Sequence, residues 1–342
     1  MTKLEPQRPM TSGDQWPPLP YPAGWFCLGL ASELKPGTVL TRSFMGSDVV
    51  LYRTEKGVVR AVEPHCPHLG AHLGIGGRIV GENIQCPFHA FEYDPDGTCV
   101  RVPNSEPPKK LTLTQRTIRE LNGLVMIWYA HDGAAPYWDI PQVDPQGFHR
   151  AQLHFKHVSS HPQELYENTV DYRHFSVVHA VPLEEIAPPE TDGPFLRVHT
   201  KVPIARIPGV GNIWVGQTVL IAGLGYLVAE IDFPRVGVTV RSWALFTATD
   251  VWETDIRLLA SCAVTGPLQH LPRPVQALLA RLLARAVVYK IGKVLDEDNV
   301  IWKSKRYMHR PQLASGDKAV GIYRRHVRQF YPPGTADQGA PL

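Results

Sequence analysis

Two short segments of this 342-residue chain carry metal ligands at fixed spacing: Cys66-Pro67-His68, then seventeen residues, then Cys86-Pro87-Phe88-His89. Two thiolates and two imidazoles supplied by two loops suit a [2Fe–2S] cluster with both sulfurs on one iron and both nitrogens on the other. Neutral imidazole brings less negative charge than thiolate, so the potential rises, and such a centre passes electrons singly. Structural zinc uses the same four residues. Zinc fingers, however, pair like with like, with a helix carrying the histidines. Here each loop brings one Cys and one His, and both loops are rich in Pro and Gly, which favours the cluster. Gly70, Gly74, Gly76 and Gly77 follow the first pair, where close backbone approach to an inorganic core needs small residues. His72 falls outside the ligand spacing and reads as a packing or hydrogen-bonding residue.

A second set lies in Glu167-Asn168-Thr169-Val170-Asp171-Tyr172-Arg173-His174-Phe175-Ser176-Val177-Val178-His179. On one continuous helix, Asn168, Asp171 and His174 share a face. His179, five residues beyond His174, converges with it if the helix bends or ends between them. Two histidines and one carboxylate form the facial triad of non-haem Fe(II) oxygenases, with positions left open for dioxygen and water. A cluster beside such a site has an electron sink. The third ligand must come from elsewhere, and Asp296, Glu297 and Asp298 are the candidates; spacing alone does not separate Glu297 from Asp298. Asp171 is an alternative ligand, but a carboxylate between a cluster histidine and an iron-bound histidine can hydrogen-bond both and carry the electron path.

The elements that must hold these residues follow from the hydrophobic pattern. Val49 to Tyr52, Gly57 to Val62 and Val125 to Tyr129 are β-branched or aromatic runs, with a turn at Asp94-Pro95-Asp96-Gly97 between them. From about residue 140 the runs 195–204, 218–232 and 235–251 indicate a larger antiparallel sheet. Residues 273–295 place Val275, Leu278, Leu279, Leu282, Leu283, Ala286 and Val287 at helical period, with Arg281, Arg285 and Lys290 around them. A helix lying on a membrane surface has this character; packing beside the active site is the expected use. The fold class is α+β: a Pro-rich tail over 1–20, a small all-β domain over 21–135, and a larger catalytic domain over 136–342, its antiparallel sheet flanked by helices.

Apolar residues make up 44% of the chain and charged residues 20%, ordinary globular values, and the net charge of +3 is not gathered into a basic tract. That argues against nucleic acid as a partner. No run reaches the length of a transmembrane segment, and MTKLEPQRPM does not read as a secretory signal. Five cysteines, two of them committed to the cluster, leave Cys27, Cys99 and Cys262 as buried thiols of a reducing, cytoplasmic compartment.

The segments C-P-H-L-G-A-H-L-G at 66–74, C-P-F-H at 86–89, E-N-x-x-D-x-x-H-F-x-x-x-H at 167–179 and D-x-x-I-W at 298–302 resemble the oxygenase component of Rieske non-haem iron oxygenases. The resemblance spans nearly the whole chain. It implies that Cys66, His68, Cys86 and His89 bind the Rieske [2Fe–2S] cluster. It implies that His174, His179 and Asp298 bind a mononuclear Fe(II), that Asp171 bridges the two centres, and that Asn168 lines the iron site without binding. It further implies a homotrimer with the cluster of one subunit beside the iron of the next. Electrons would come from NADH or NADPH through a reductase, with or without a separate ferredoxin. Leu69, where many aromatic-ring dihydroxylases have Arg, and His161-Pro162-Gln163-Glu164 are similar to the steroid-directed branch, the 3-ketosteroid 9α-hydroxylases and cholesterol 7-desaturases. Ala90-Phe91 departs from the family's usual Gly-Trp.

The expected activity is a monooxygenase that uses O₂ to hydroxylate or desaturate a C–H bond of a bulky apolar, steroid-like substrate. Two other readings compete: an oxygenase that oxidises or demethylates an aromatic or amine substrate, and an electron carrier without mononuclear iron. Phe195, Ile207, Val215, Leu220, Leu224 and Tyr226 are candidate pocket-lining positions.

Overall fold

The computed structural model describes residues 20–207 and 211–332, with side chains described outside 205–212. The tail expected over 1–20 lies almost wholly outside the described residues, as does the side chain of Ile207. The chain divides into two compact units, Trp25–Gln142 and Val143–Leu342 with Met1–Gly24.

The smaller unit is all β. Its strands are β1 (Gly24–Leu30), β2 (Val39–Phe44), β3 (Ser47–Arg53), β4 (Val59–Val62), β5 (Arg78–Val80), β6 (Asn83–Gln85), β7 (Glu92–Tyr93), β8 (Cys99–Arg101), β9 (Gln115–Arg116), β10 (Ile118–Leu121) and β11 (Leu124–Tyr129). They form antiparallel sheets in the orders β2-β3-β4-β9, β5-β6-β7-β8 and β1-β11-β10. The expected β-branched runs fall in β3, β4 and β11. Val50, Tyr52, Val62, Leu73, Ile84 and Tyr93 close a core that also takes in Cys66, Cys86 and Cys99. Both metal-ligand loops therefore grow directly from packed strands, one between β4 and β5 and one between β6 and β7.

The larger unit is built on one seven-stranded antiparallel sheet in the order β12-β18-β17-β16-β15-β14-β13. The strands are β12 (Gln152–Val158), β13 (Glu184–Asp192), β14 (Phe195–Ile207), β15 (Gly211–Ala222), β16 (Tyr226–Phe233), β17 (Val238–Asp250) and β18 (Glu253–Val264). The run 218–232 is not one strand. Gly223, in the left-handed region at φ +61°, turns the chain so that β15 and β16 pair back on each other.

Between β12 and β13 the chain crosses from one sheet edge to the other through helices α1 (Pro162–Glu167) and α2 (Tyr172–Val178). After β18 it returns through the 30-residue helix α3 (Arg273–Trp302), and α4 (Lys318–Val327) follows. Helix α3 lies on β18 and β12 through small side chains. Ala280, Ala284 and Val288 pack against Val240, Ala260 and Cys262. A Cβ on Gly292 would stand 2.9 Å from His154 Nε2, so glycine permits the close approach. Further along, Leu295 and Trp302 enter the main core with Leu165, Tyr166, Val198, Val219 and Tyr323.

Candidate metal centres

The two cluster loops repeat one backbone design. The Cys66 N–H donates to Ala71 O at 2.8 Å and its carbonyl accepts from Gly70 N–H at 2.9 Å; Cys86 does the same with Phe91 O at 2.8 Å and Ala90 N–H at 3.1 Å. A turn this tight needs a left-handed residue four places after each cysteine. Gly70 supplies it at φ +78°, Ala90 at φ +55°. The thiols of Cys66 and Cys86 are buried, whereas His68 and His89 are half-exposed with ring centroids 4.9 Å apart. The donor set thus separates into a sulfur side in the core and an imidazole side at the surface.

The two sulfurs adjoin each other, and backbone N–H groups of Phe88 and His89 reach Cys86 Sγ. Burial foremost, with Cys66 adding to it, pushes the Cys86 thiol above its ordinary range. Among the described residues, the His/Cys/Asp/Glu group tight enough to hold one ion lies elsewhere. The spread of Cys66, His68, Cys86 and His89 therefore fits a two-iron cluster better than a single zinc. Phe91, in place of the expected indole, stacks on His68 at 4.3 Å and 9°. The Tyr93 hydroxyl lies 3.1 Å from Cys66 Sγ. His72 accepts from Gly74 N–H at 3.1 Å through Nδ1, the hydrogen-bonding use expected of it.

The second site is assembled from α2 and α3. The continuous helix expected to carry Asn168, Asp171 and His174 on one face is broken, while the helix end expected before His179 is present. Asn168 ends α1, N–H groups of Thr169, Val170 and Asp171 fold back on Tyr166 and Glu167 carbonyls, and Asp171 precedes the first residue of α2. β-Branched Thr169 and Val170 with flanking Asn168 and Asp171 favour such a break. His174 lies inside α2 and His179 is its C-cap. The helix end turns the second imidazole toward the first, with ring centroids 5.2 Å apart.

Asp298 completes the group. It is 4% exposed on the inward face of α3, and ligand atoms of His174, His179 and Asp298 all lie within 4.8 Å of one another. Asp298 Oδ1 stands 3.1 Å from His179 Nε2 and 3.9 Å from His174 Nε2. Both Nε2 atoms are buried with no hydrogen-bond partner, an arrangement that is costly unless something else meets them. Each Nδ1 is occupied: His174 Nδ1–H donates to the Asp171 carbonyl at 2.5 Å, and His179 Nδ1–H donates to Glu297 Oε2 at 2.7 Å. Those bonds fix the tautomer and leave Nε2 as the free ligand atom. Burial chiefly holds His174 below the usual imidazole range, in its neutral ligand form. Burial also raises the Asp298 carboxyl against the pull of both imidazoles and of a hydrogen bond from Asn168. Two imidazoles, one carboxylate and two orphan nitrogens fit a divalent iron.

Adjacent residues on α3 thus have different partners. Asp298 joins the three-residue group, Glu297 grips His179 from outside, and Asp296 pairs with Lys156 of β12 at 2.5 Å. The Asp171 carboxylate is 40% exposed and 3.8 Å from His174 Nδ1. A buried network that the sequence reading missed supports α1. Arg324 of α4 makes a two-pronged ion pair with Glu167, at 2.5 and 2.8 Å. Glu164 pairs with Lys305 at 3.0 Å, and Gln163 Nε2–H donates to Tyr307 Oη at 2.7 Å. His161 caps α1 by accepting the Gln163 N–H at 3.1 Å, and burial depresses its pKa to about 3. It is a neutral structural cap. Nothing in the polar run from Ser159 to Asn168 marks these residues as buried, so the sequence carries no local signal for the network.

The pocket-lining candidates divide by strand parity. Val215 shares the helix-facing register of Val198, Val202 and Val219, whereas Phe195 and Leu220 lie on the opposite face. Leu224 and Tyr226 are fully buried, and Tyr226 Oη accepts from Trp243 Nε1 at 3.0 Å. Leu224 and Tyr226 thus serve the sheet core, and Phe195 and Leu220 lie on the face turned from the helices.

Family models match both units: the Rieske [2Fe–2S] domain over residues 24–119 and the 3-ketosteroid 9α-hydroxylase C-terminal domain over 127–331. The chain belongs to the Rieske oxygenases of that family. It is 30% identical to "Cholesterol 7-desaturase nvd" of Bombyx mori over 93% of this chain and 71% of the relative. It is 26% identical to "Probable 3-ketosteroid-9-alpha-monooxygenase, oxygenase component" of Rhodococcus rhodochrous over 92% and 81%. Among solved structures, apo dicamba monooxygenase shares the fold at TM-score 0.67 and 22% identity, covering 91% of this chain and 97% of that one. As a Rieske oxygenase the chain combines a [2Fe–2S] domain with a candidate mononuclear iron site. Among the described residues no helix is long and apolar enough to cross a membrane.

Proposed function

We propose that this Rieske oxygenase is the terminal component of an electron-fed monooxygenase system acting on a C–H bond of a bulky, steroid-like substrate. The observation that carries the reading is the convergence of His174, His179 and Asp298 with two unpartnered Nε2 atoms. An electron carrier would have no use for it. In this reading 21–135 is the cluster domain, held through Cys66, His68, Cys86 and His89, and 136–342 is the catalytic domain. When bound, the cluster delivers single electrons and the iron activates dioxygen.

The chain's own residues do the positioning. Glu297 and the Asp171 carbonyl orient the two imidazoles. Asn168 holds Asp298 by a hydrogen bond donated to its carboxylate. The half-exposed carboxylate of Asp171, not needed by His174 Nδ1, is available to a cluster imidazole of a neighbouring subunit and is the proposed electron relay. Thus Asp171 and Asn168 are the catalytic-site residues beyond the ligands. A homotrimer, a reductase oxidising NADH or NADPH, and a ferredoxin between them complete the system, in a cytoplasmic setting.

The substrate class is supported by the named relatives and by the sheet. On β14 and β15 the helix-facing register runs Leu196, Val198, Thr200, Val202 and Val215, Gln217, Val219, Ile221. It contains no cation to anchor a carboxylate, while Arg197 and Lys201 face the other way. This favours a neutral polycyclic substrate over an aromatic acid. Reconstitution with a reductase and a panel of 3-ketosteroids, sterols and aromatic acids tests the reading. Steroid or sterol product with about three irons per chain supports it; about two irons per chain and no product overturns it.

A further inference from the structure

As far as Gly292, helix α3 buries its small side chains and leaves large ones outside. The face packed on the sheet carries Ala280, Ala284, Val288 and Gly292. Val275, Leu278, Leu282 and Tyr289 follow one another on the opposite side, with Leu278 57% and Leu282 55% exposed. A helix that needed only to cover the sheet would show polar residues there. The hairpin between β16 and β17 adds exposed Val236 next to exposed Arg235. It is joined to the start of this segment by the bond from Thr265 N–H to Gly237 O at 2.8 Å.

The charge around this stripe has one sign. Residues 266–295 contain Arg273, Arg281, Arg285, Lys290 and Lys293 and no Asp or Glu. All five cations are exposed. Lys293 is near Asp296, whereas Arg235, Arg273, Arg281, Arg285 and Lys290 form no ion pair with the described residues. A two-fold contact with a second copy, unlike the head-to-tail contacts of the proposed homotrimer, would set these cations against themselves. An anionic lipid surface satisfies both halves of the pattern: headgroups meet the cations, and the acyl boundary takes the apolar stripe.

We propose that the outer face of α3, with the β16–β17 hairpin, docks the enzyme peripherally on anionic membrane surfaces. No spanning segment is required, and the catalytic residues do not contribute. The docked face lies on the unit that holds the iron ligands, so a substrate partitioned into lipid would be met by the catalytic unit itself.

The test is co-sedimentation of the full-length, cluster-loaded protein with vesicles of phosphatidylcholine alone or with a minority of phosphatidylserine. Binding is expected only to the phosphatidylserine vesicles, with loss as the salt approaches ~1 M. Arg281→Glu/Arg285→Glu is expected to weaken binding about tenfold or more. Leu278→Ser/Leu282→Ser should weaken it comparably, with the cluster absorption unchanged because both sites are exposed. Equal sedimentation with neutral vesicles, or wild-type binding by both variants, overturns the proposal. So does the absence of vesicle binding in a protein whose oligomer dissociates on Leu278→Ser/Leu282→Ser in sedimentation velocity, since a second copy would then own this face.

Discussion

The cluster loops and the iron site solve the same problem, holding four or three ligands still, from opposite directions. Each cluster loop is a closed local turn in which cysteine and histidine lie two or three residues apart, and the strands on either side merely anchor it. The iron ligands come from two helices separated by six strands of the sheet. Local geometry makes the first set robust to tertiary change and ties it to the domain core, because Cys66 and Cys86 are themselves core residues. The second set can lose His174 without harm to the fold, because α2 has no buried residues of its own.

Ligand removal should expose that difference most strongly. His174→Ala is expected to drop iron from about three to about two per chain, abolish product, and leave the cluster spectrum intact. Cys86→Ser is expected to lose the cluster and loosen the small unit as well. Full iron occupancy and normal turnover in His174→Ala would remove the basis for the assigned triad. Asp171→Asn comes next: both metals should remain while turnover disappears, since the Asp171 carbonyl that orients His174 is untouched. Metal analysis with single-turnover assays separates the two variants, and normal product from Asp171→Asn would end the relay role.

The contrast also explains what could be read from the sequence. The cluster ligands were legible because their chemistry is written within each loop. The pair His174 and His179 was legible for the same reason. Asp298 was not separable from Glu297 by spacing, since neighbours on a helix point about 100° apart. Only the packing of α3 through Ala284, Val288 and Leu295 decides which faces inward. The break between Glu167 and Tyr172 was hidden because the spacing of Asn168, Asp171 and His174 also fits one helix face. Phe195 and Leu220 are apolar enough for a pocket wall, but a one-residue parity step sends a strand side chain to the other face. The α+β class and the order of the two domains are legible because each rests on many residues.

Two further changes grade the support beneath the iron site. Arg324→Ala leaves Glu167 as a buried, unpaired carboxylate, which should cost about 3–5 kcal/mol of stability. Denaturant unfolding measures it, and a loss below about 1 kcal/mol would mean α4 does not clamp α1. Glu297→Gln keeps a hydrogen-bond acceptor for His179 Nδ1–H but removes the charge. Mononuclear iron affinity should fall about 10- to 100-fold, read by Fe(II) titration of the iron-stripped protein with its cluster retained. Unchanged affinity would leave Glu297 a surface carboxylate that happens to touch His179.

The smallest effect tests the likeness of the two cluster loops. Gly70 and Ala90 occupy the same left-handed place, yet only one is glycine. A methyl there costs about 1–2 kcal/mol, partly offset by about 0.4–1 kcal/mol because alanine restricts the unfolded chain. Ala90→Gly should therefore stabilise the protein by about 0.5–1 kcal/mol. Gly70→Ala should destabilise it by a similar amount, since a Cβ there meets nothing within 4 Å and the penalty is conformational alone. Opposite shifts of the thermal midpoint, each ~2–4 °C, would show that the loops are equivalent in energy as well as in hydrogen bonding. A loss of stability in both variants would mean that the Ala90 methyl makes a packing contact worth more than its strain, and that the second loop has diverged from the first.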